Sequence, residues 1–582
     1  MNKLSINYAL LSTLFLGACS GSSGNAPSEP PATNTPAEIT NTQQKIALNQ
    51  LGYFETSSKI AIIPNVASTS FTIVDASNNE EVYSGTLSNA KNWPNAGSDS
   101  VKQADFSSLV APGSYFIRVL GVDDSATFKI DSHVYNDLHI AAQRYFYLNR
   151  ASIEIEQQFA GDFARPLGHA DTNVMYHPSA DEQLSTQDET LASPKGWYDA
   201  GDYGKYVVNS GISTYSLLAA FEHTPNLYAQ QQLNIPESNN NIPDILDEAL
   251  WNLEWLFTMQ GEDGGVYHKL TTLEWPGEEM PHEDTRTRFV IGKSTSASLN
   301  FAATFAVASR VIAPFDQNKS EQYLLAAIDA WKWALEHPSQ IYVQPNDVLS
   351  GEYGDNILKD EFAWAAAELF ISTGVEGFFT TYKELDLEYS APSWINVSYL
   401  SLSSLLYKAE NLLSPQDYTA LKDKQKALAD TFVQQYQNNA YLVPIETPNL
   451  IWGSNSAALN KAMVLLQAAT VQNDSQYLNV AQGIVDYILG RNPTEYSFVT
   501  GFGHKYPVNP HHRISQSDGI NTAVPGMLVG GPHAGRQDDC SYEYSEPART
   551  YSDSWCSYST NEVAINWNAP LVYVLGMLTE RK

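Results

Sequence analysis

The sequence predicts a small all-β sandwich followed by an all-α ring of paired helices, and three observations carry that expectation. Residues 45–131 consist of short β-rich runs separated by Asn, Asp, Gly and Pro turns. From residue 132 to 582 the character changes, and apolar residues recur at helical spacing in about eleven segments. Several of those segments are apolar and Ala-rich on more than one face, the pattern of helices buried between neighbours. Eleven or twelve helices joined by long polar loops favour a closed ring with its function on the loops. A bundle decorated by long loops is the alternative. No short-period repeat of the solenoid kind occurs.

In chain order, residues 1–19 are a targeting segment. Lys3 supplies the positive end, residues 8–16 the apolar stretch, and Leu16-Gly17-Ala18-Cys19 a small-residue cleavage site. The apolar run is shorter than the roughly 20 residues a spanning helix needs. The tetrad resembles a bacterial lipobox, which implies cleavage before Cys19, lipidation of its thiol and, with Ser20 following, an outer-membrane lipoprotein. An ordinary secretion signal is the alternative. Residues 20–44 are small, polar and Pro-rich and form a flexible linker. Within 45–131 the strand candidates are KIALNQ, KIAIIP, SFTIVDA, EEVYSG, GSYFIRVL and ATFKID, enough for a compact sandwich. The helical patterns then run from VYNDLHIAAQRYFYLNR to NEVAINWNAPLVYVLGML.

Composition limits the function. Lys and Arg number 33 against 65 Asp and Glu, a formal charge of -32. A field of that sign repels phosphate backbones and excludes a nucleic-acid partner. The 33 Tyr and 12 Trp supply either a large aromatic core or a cleft that stacks on flat ligand faces. Beyond Cys19 the cysteines are Cys540 and Cys556, too few for a cysteine-based zinc site. In an oxidising compartment they form a disulfide worth about 3 kcal/mol; two free buried thiols are the alternative.

Three loop stretches stand apart as places for chemistry. In Gly196-Trp197-Tyr198-Asp199-Ala200-Gly201-Asp202-Tyr203-Gly204-Lys205-Tyr206, two carboxylates three residues apart can face one cleft and deprotonate a water. A solvated turn would use the same residues. Asn509-Pro510-His511-His512-Arg513 gathers donors suited to hydroxyls or an acidic partner, or makes a structural His–Arg pair. Glu562 ends a polar, aromatic stretch that begins at Tyr551 and leads into an apolar helix. It is either a favourable charge at a helix start or, in a poorly hydrated cleft, a general acid with a raised pKa. No nucleophilic Ser elbow, P-loop or zinc-protease motif is present.

At these stretches the sequence resembles glycoside hydrolase family 9, the inverting β-glucanases often called cellulases. Residues 497–513 fit the family's His-containing pattern through Gly503, Lys505, Pro510, His511 and Arg513. Residues 551–569 fit its Glu-containing pattern through Tyr551, Asp553, Tyr558, Glu562, Ala564, Asn568 and Ala569, and Asp199-Ala200-Gly201-Asp202 is the third match. The resemblance covers about residue 131 to the C-terminus, and the β-rich segment resembles the immunoglobulin-like domain of one branch of the family. It implies an (α/α)6 barrel, with Asp202 as general base, Asp199 helping to orient the water and Glu562 as general acid. Inversion asks for carboxyls roughly 6.5–9.5 Å apart. It further implies that His511 and Arg513 hold sugar hydroxyls, that Tyr551 and Asp553 belong to the same substrate subsite, and that His268 and Trp452 are cleft residues.

The same resemblance implies no cofactor for the chemistry, and a structural calcium beside Asp360 and Glu361; those residues otherwise cap the helix that follows. Many relatives hold zinc through Cys and His before the Asp-Ala-Gly-Asp stretch. This chain has only His169 and His177 there, so no zinc is expected. The expected activity is endo-β-1,4-glucanase action on cellulose-type glucans or cellodextrins. If the polar segment 161–195 walls off one end of the cleft, the enzyme is instead exo-acting on cellodextrins or glucosamine-containing ends. A non-catalytic surface carbohydrate-binding protein is the remaining alternative, and intact Asp199, Asp202 and Glu562 argue against it. The chain shows no separate cellulose-binding or scaffold-docking module, and the sandwich either stabilises the barrel or binds a partner.

Overall fold

The structure, a computed structural model, describes residues 45–187 and 189–581. The signal segment 1–19 with Cys19 and the linker 20–44 lie outside the described residues.

Eight strands build the N-terminal sandwich: β1 Gly52–Tyr53, β2 Ile60–Pro64, β3 Ser70–Asp75, β4 Glu81–Thr86, β5 Lys91–Asn92, β6 Ser100–Asp105, β7 Gly113–Arg118 and β8 Phe128–Ile130. One sheet has the order β1-β8-β7-β3-β4, the other β2-β6-β5. Inward residues alternate along the strands, so Ile63, Ile73, Ile117 and Phe128 form a shared core. The expected strand KIALNQ makes a single bridge, Ala47 to Ile62. Its next residues serve the barrel instead. Asn49 Nδ2 donates to Tyr135 Oη and Asp486 Oδ1, and the Gln50 amide donates to the Leu489 carbonyl. The middle strand β6, SVKQAD, carries no β-rich run and was not among the expected strands.

Twelve helices form the ring: α1 Asn136–Leu148, α2 Val207–His223, α3 Asp244–Thr258, α4 Thr295–Ile312, α5 Gln317–Glu336, α6 Lys359–Thr373, α7 Glu376–Glu384, α8 Ser398–Lys408, α9 Pro415–Asn438, α10 Ser454–Gln472, α11 Ser475–Ile488 and α12 Ile565–Glu580. The even-numbered helices pack in a closed circle, α2-α4-α6-α8-α10-α12 and back to α2, and each odd-numbered helix packs outside an even one. This is the (α/α)6 barrel. The inner helices are apolar or small on every face, as their ring position requires: α4 buries all but one of its side chains. The twelfth helix, α7, escapes periodicity because it is short and buries only Phe379 and Tyr382.

Inner and outer helices alternate along the chain, so the inner six are parallel. The segments entering them gather at one end of the ring. There a further five-stranded sheet, absent from the sequence expectation, joins β9 Val174–Tyr176, β10 Thr190–Leu191, β11 Lys205–Tyr206, β12 Tyr267–Thr271 and β13 Phe289–Lys293 in the order β10-β9-β13-β12-β11. Among the described residues no helix is long and apolar enough to cross a membrane.

Candidate active site

A cavity of about 1290 Å³ opens at that end of the ring. Its walls come largely from segments just before inner helices: Asp199, Asp202 and Tyr206 before α2, Gly351 to Tyr353 before α6, Tyr389 to Ile395 before α8, Ile451 to Gly453 before α10, and Glu562 before α12. The structure thus brings Asp199, Asp202, Glu562, His511, Arg513 and Trp452 to one site.

The Asp-Ala-Gly-Asp loop is held tightly. The Asp199 amide donates to the Gly204 carbonyl at 3.1 Å, and the Ile565 amide donates to the Asp199 carbonyl at 2.8 Å. A side chain at Gly201 would meet the His511 carbonyl at 2.6 Å and Glu562 Oε1 at 3.1 Å. Glycine at 201 is what lets the two carboxylate-bearing segments approach. The Gly201 amide then donates to Glu562 Oε1 at 3.3 Å, and Trp452 Nε1 donates to Glu562 Oε2 at 3.1 Å. Asp202 Oδ2 accepts from Tyr206 Oη at 2.7 Å and from the Gly204 amide at 3.1 Å. Asp199 accepts from Asn209 Nδ2 on one oxygen and from Tyr353 Oη, 2.7 Å, on the other.

Burial and crowding of like charge raise the proton affinities of Glu562 and Asp199. Burial, reinforced by Asp202, pushes Glu562 up to about 8, against the Gly201 amide and Arg513. Burial and then Asp202 push Asp199 up to about 7. Burial drops His511 to about 4, so its ring is neutral at pH 7. His511 Nδ1 lies 2.8 Å from the Trp555 carbonyl, which fixes the proton there and leaves Nε2 as an acceptor. The ring also stacks on Trp555 at 4.1 Å. Arg513 donates through Nε to the Pro276 and Gly277 carbonyls and through Nη1 to the Gly201 carbonyl. It therefore ties the loop bearing the cavity residue Trp275 to the Asp-Ala-Gly-Asp loop.

Three expected substrate residues do not line the cavity. His268 is fully buried, bonded to Ser294 Oγ and the Glu352 carbonyl and stacked on Tyr342 at 3.7 Å. It anchors β12 to the segment carrying Tyr353. Tyr551 donates to Asn561 Oδ1 at 2.6 Å. Asp553 accepts from the Val508 and Asn509 amides and from Asn561 Nδ2. Both hold the His511 and Glu562 segments together from behind, because their polar atoms are consumed by backbone and Asn561. None of the described residues of segment 161–195 lines the cavity either. Its residues 174–176 join the sheet through the β9–β13 pairing.

Tyr206, Tyr353, Asn209, Trp275 and Trp394 were missed. Tyr206 lay in plain view four residues after Asp202, where a helix start turns it back. Tyr353 sat in a stretch read only for calcium. In that stretch Asp360 Oδ2 accepts from the Val397 amide. Glu361, Asp355 and Ser350 bury oxygens that make no hydrogen bond of good geometry, and the Glu361 carboxyl lies against those of Asp355 and Asp360. Burial, then Asp360 and Asp355, push Glu361 well above the usual carboxylate range. His169 meets Tyr198 and Asp284, whereas His177 meets Ser179 and Asp347, so the two histidines share no partner. Among the described residues no three His, Cys, Asp or Glu side chains stand in a ready metal-ligand arrangement. Cys540 and Cys556 are disulfide-bonded with Cα atoms 5.4 Å apart. The bridge joins the stretch holding the cavity residue Gln537 to the one holding Trp555.

The model of glycosyl hydrolase family 9 matches residues 135–575, and that of the cellulase N-terminal ig-like domain matches residues 41–124. The chain belongs to glycosyl hydrolase family 9. This family 9 hydrolase is an enzyme of the endo-β-1,4-glucanase type. It is 39% identical over 563 residues to the xyloglucan-specific endo-beta-1,4-glucanase BoGH9A of Bacteroides ovatus, covering 94% of this chain and 95% of the relative. It is 34% identical to endoglucanase D of Acetivibrio thermocellus, covering 93% and 84%. A solved Bacteroides ovatus GH9 structure superimposes on this family 9 hydrolase with a TM-score of 0.84 at 37% identity, covering 92% of this chain and 98% of that one.

Proposed function

We propose that the cavity cuts internal β-1,4 bonds of a glucan with inversion, Glu562 acting as general acid and Asp202 as general base. The observation that carries this proposal is the geometry of the cavity, where Glu562 stands beside the Gly201 amide of the loop that bears Asp202; burial pushes Glu562 up to about 8, so that at pH 7 it can donate to a glycosidic oxygen. Water oxygen forms the new bond to the anomeric carbon while the bond to the glycosidic oxygen breaks. The leaving oxygen takes the Glu562 proton, and a water proton passes to Asp202. Tyr206 fixes Asp202 through its hydroxyl. Asp199, clamped by Asn209 and Tyr353, orients the water. His511 Nε2 and Arg513 meet sugar hydroxyls, and the face of Trp452 supports a glucosyl ring.

The endoglucanase names of the two relatives support an internal cut, and the first relative's xyloglucan specificity puts decorated glucans among the substrates to test. Early-time NMR on cellopentaose should show the α-anomer released, with carboxymethyl cellulose losing viscosity rapidly. Release of the β-anomer, or stepwise release from one end, overturns the proposal.

We also propose a structural calcium beside Ser350, Asp355, Asp360 and Glu361, side chains that would have to draw together to bind it; their hard oxygen donors are the ligands that ion takes. Bound there it would neutralise buried carboxylates beneath the segment that carries Tyr353. We also place the protein in the outer membrane through a lipid on Cys19, on sequence grounds alone. Mass analysis of the mature N-terminus tests it: an unmodified Cys19 overturns it.

A further inference from the structure

The Cys540–Cys556 bridge ends one residue from the side chain against which His511 rests. Trp555 does not line the cavity. It lies behind His511, stacking on the imidazole at 4.1 Å with 22° between the planes. His511 Nδ1 donates to its carbonyl at 2.8 Å. One residue thus sets both the tilt of the ring and the tautomer that leaves Nε2 as the acceptor. On another side of the imidazole, Tyr558 approaches edge-on at 5.8 Å.

Trp555 sits outside any helix or strand, in a turn closed by the Ser557 amide donating to the Ser554 carbonyl at 2.9 Å. The next residue, Cys556, is exposed, so burial does not hold the turn down there. The bridge fastens it instead to a loop with an anchor of its own. Asp538, two residues before Cys540, accepts from the Cys540 amide at 3.1 Å on one oxygen. Its other oxygen accepts from Tyr542 Oη at 2.6 Å and from the Ser559 amide at 3.1 Å. Ser559 belongs to the single helical turn Tyr558–Asn561 that leads into Glu562. The Asn561 carbonyl in turn accepts from the His511 amide at 2.9 Å. The anchored loop therefore grips the backbone that carries Glu562 and meets His511, and the bridge extends that grip to Trp555.

We infer that Trp555 is a positioning residue for His511 and that the Cys540–Cys556 bridge holds it in place, so that the oxidised bridge keeps His511 in the tilt and tautomer that meet the substrate. The inference rests on the proposed contact of His511 with a sugar hydroxyl. An added dithiol can reach the exposed Cys556 end of the bridge. It gives two electrons and two protons to the cystine, leaving two thiols, and itself becomes a cyclic disulfide.

The experiment reduces the folded enzyme with dithiothreitol and follows two quantities. One is kcat/KM on cello-oligosaccharides; the other is the side-chain 15N NMR signal of His511, assigned by its loss in His511→Ala. The oxidised protein should show the proton on Nδ1, and the reduced protein both tautomers in exchange. Reduction should lower kcat/KM by about tenfold, the size of one hydrogen bond to substrate, with circular dichroism unchanged, and reoxidation should restore it. Trp555→Ala should show the same tenfold loss and lose nothing more on reduction, whereas Trp555→Tyr should keep the stack and its sensitivity to the reductant. In His511→Ala the reductant should change nothing. A rate and a tautomer that both survive reduction overturn the inference, as does an equal loss on reduction in His511→Ala. A tautomer that shifts while the rate holds upholds the positioning and overturns the sugar contact proposed for His511.

Discussion

The two ends of the helical ring treat buried carboxylates in opposite ways. Where the inner helices begin, Asp199 and Glu562 take their hydrogen bonds from amides, a phenol and an indole, namely Asn209, Tyr353, the Gly201 amide and Trp452. Where they end, Glu222 on the last turn of α2 and Glu368 on α6 share the guanidinium of Arg310, on the last turn of α4. Burial pushes Glu222 upward too, but Arg310, aided by Lys408 and His223, reverses the shift to about 2. Helix starts carry partial positive charge and helix ends partial negative charge. At the far end Arg310 pairs with both carboxylates and brings Glu222 below its ordinary range, while burial still holds Glu368 above its own. At the cleft, the Gly201 amide and Arg513 only moderate what burial and Asp202 do to Glu562. One end is paired with a cation; the other raises a carboxyl at the cavity, where the proposed reaction needs a proton.

The contrast breaks first at the cleft carboxyls. Glu562→Gln and Asp202→Asn should each cut turnover by about 10²–10⁴-fold while circular dichroism shows an intact fold. Near-parental turnover in either removes the role assigned to it. At the opposite end Arg310→Met should cost about 3–5 kcal/mol in denaturant unfolding, because it leaves Glu222 and Glu368 buried without a cation. Specific activity of the folded fraction should change little. A loss of activity without a loss of stability would mean the two ends are not separable.

The pH dependence sharpens the same comparison. Above pH about 8 Glu562 loses its proton, so kcat/KM should fall by about tenfold per pH unit. The linked effect on stability has a definite sign. A carboxyl whose folded pKa lies above its unfolded value binds its proton more tightly in the native state, so stability declines as pH rises from about 4.5 to about 8. Glu562→Gln should therefore melt above the parent at pH 8, with the gain shrinking towards pH 4.5. If the order is reversed, the acid is stabilised as an anion and the contrast with Glu222 fails.

Two smaller effects follow. Removing divalent ions with a chelator should lower the melting temperature, and calcium rather than magnesium should restore it, if Ser350, Asp355 and Glu361 hold the ion. Trp452→Phe should shift the alkaline limb upward by less than about one pH unit, since the lost indole donor favours the ionised carboxyl. A downward shift would mean that Trp452 acts through something other than its bond to Glu562.

Much of the site was legible in the chain because its groups stand in short, dense runs. Asp199 and Asp202 share one loop, and His511 and Arg513 another. The loops that bring Glu562 beside Gly201 join residues 361 apart, a proximity that no local pattern contains. His268, Tyr551 and Asp553 look equally functional in sequence. They differ from His511 only in what surrounds them: their polar atoms are used up by Ser294, Asn561 and backbone groups behind the cavity. The sheet β9–β13 escaped notice because its strands are short and lie far apart in the chain, so pairing rather than periodicity makes them.

Sequence by itself determined the helical ring, the sandwich before it and the carboxylates that come to line the cavity, because apolar periodicity and local motif chemistry act over a few residues. Tertiary structure alone decided which of those polar groups face the cavity and which tyrosines clamp Asp199 and Asp202. Those outcomes depend on burial and on hydrogen bonds between segments hundreds of residues apart, and both come into being only when the ring closes.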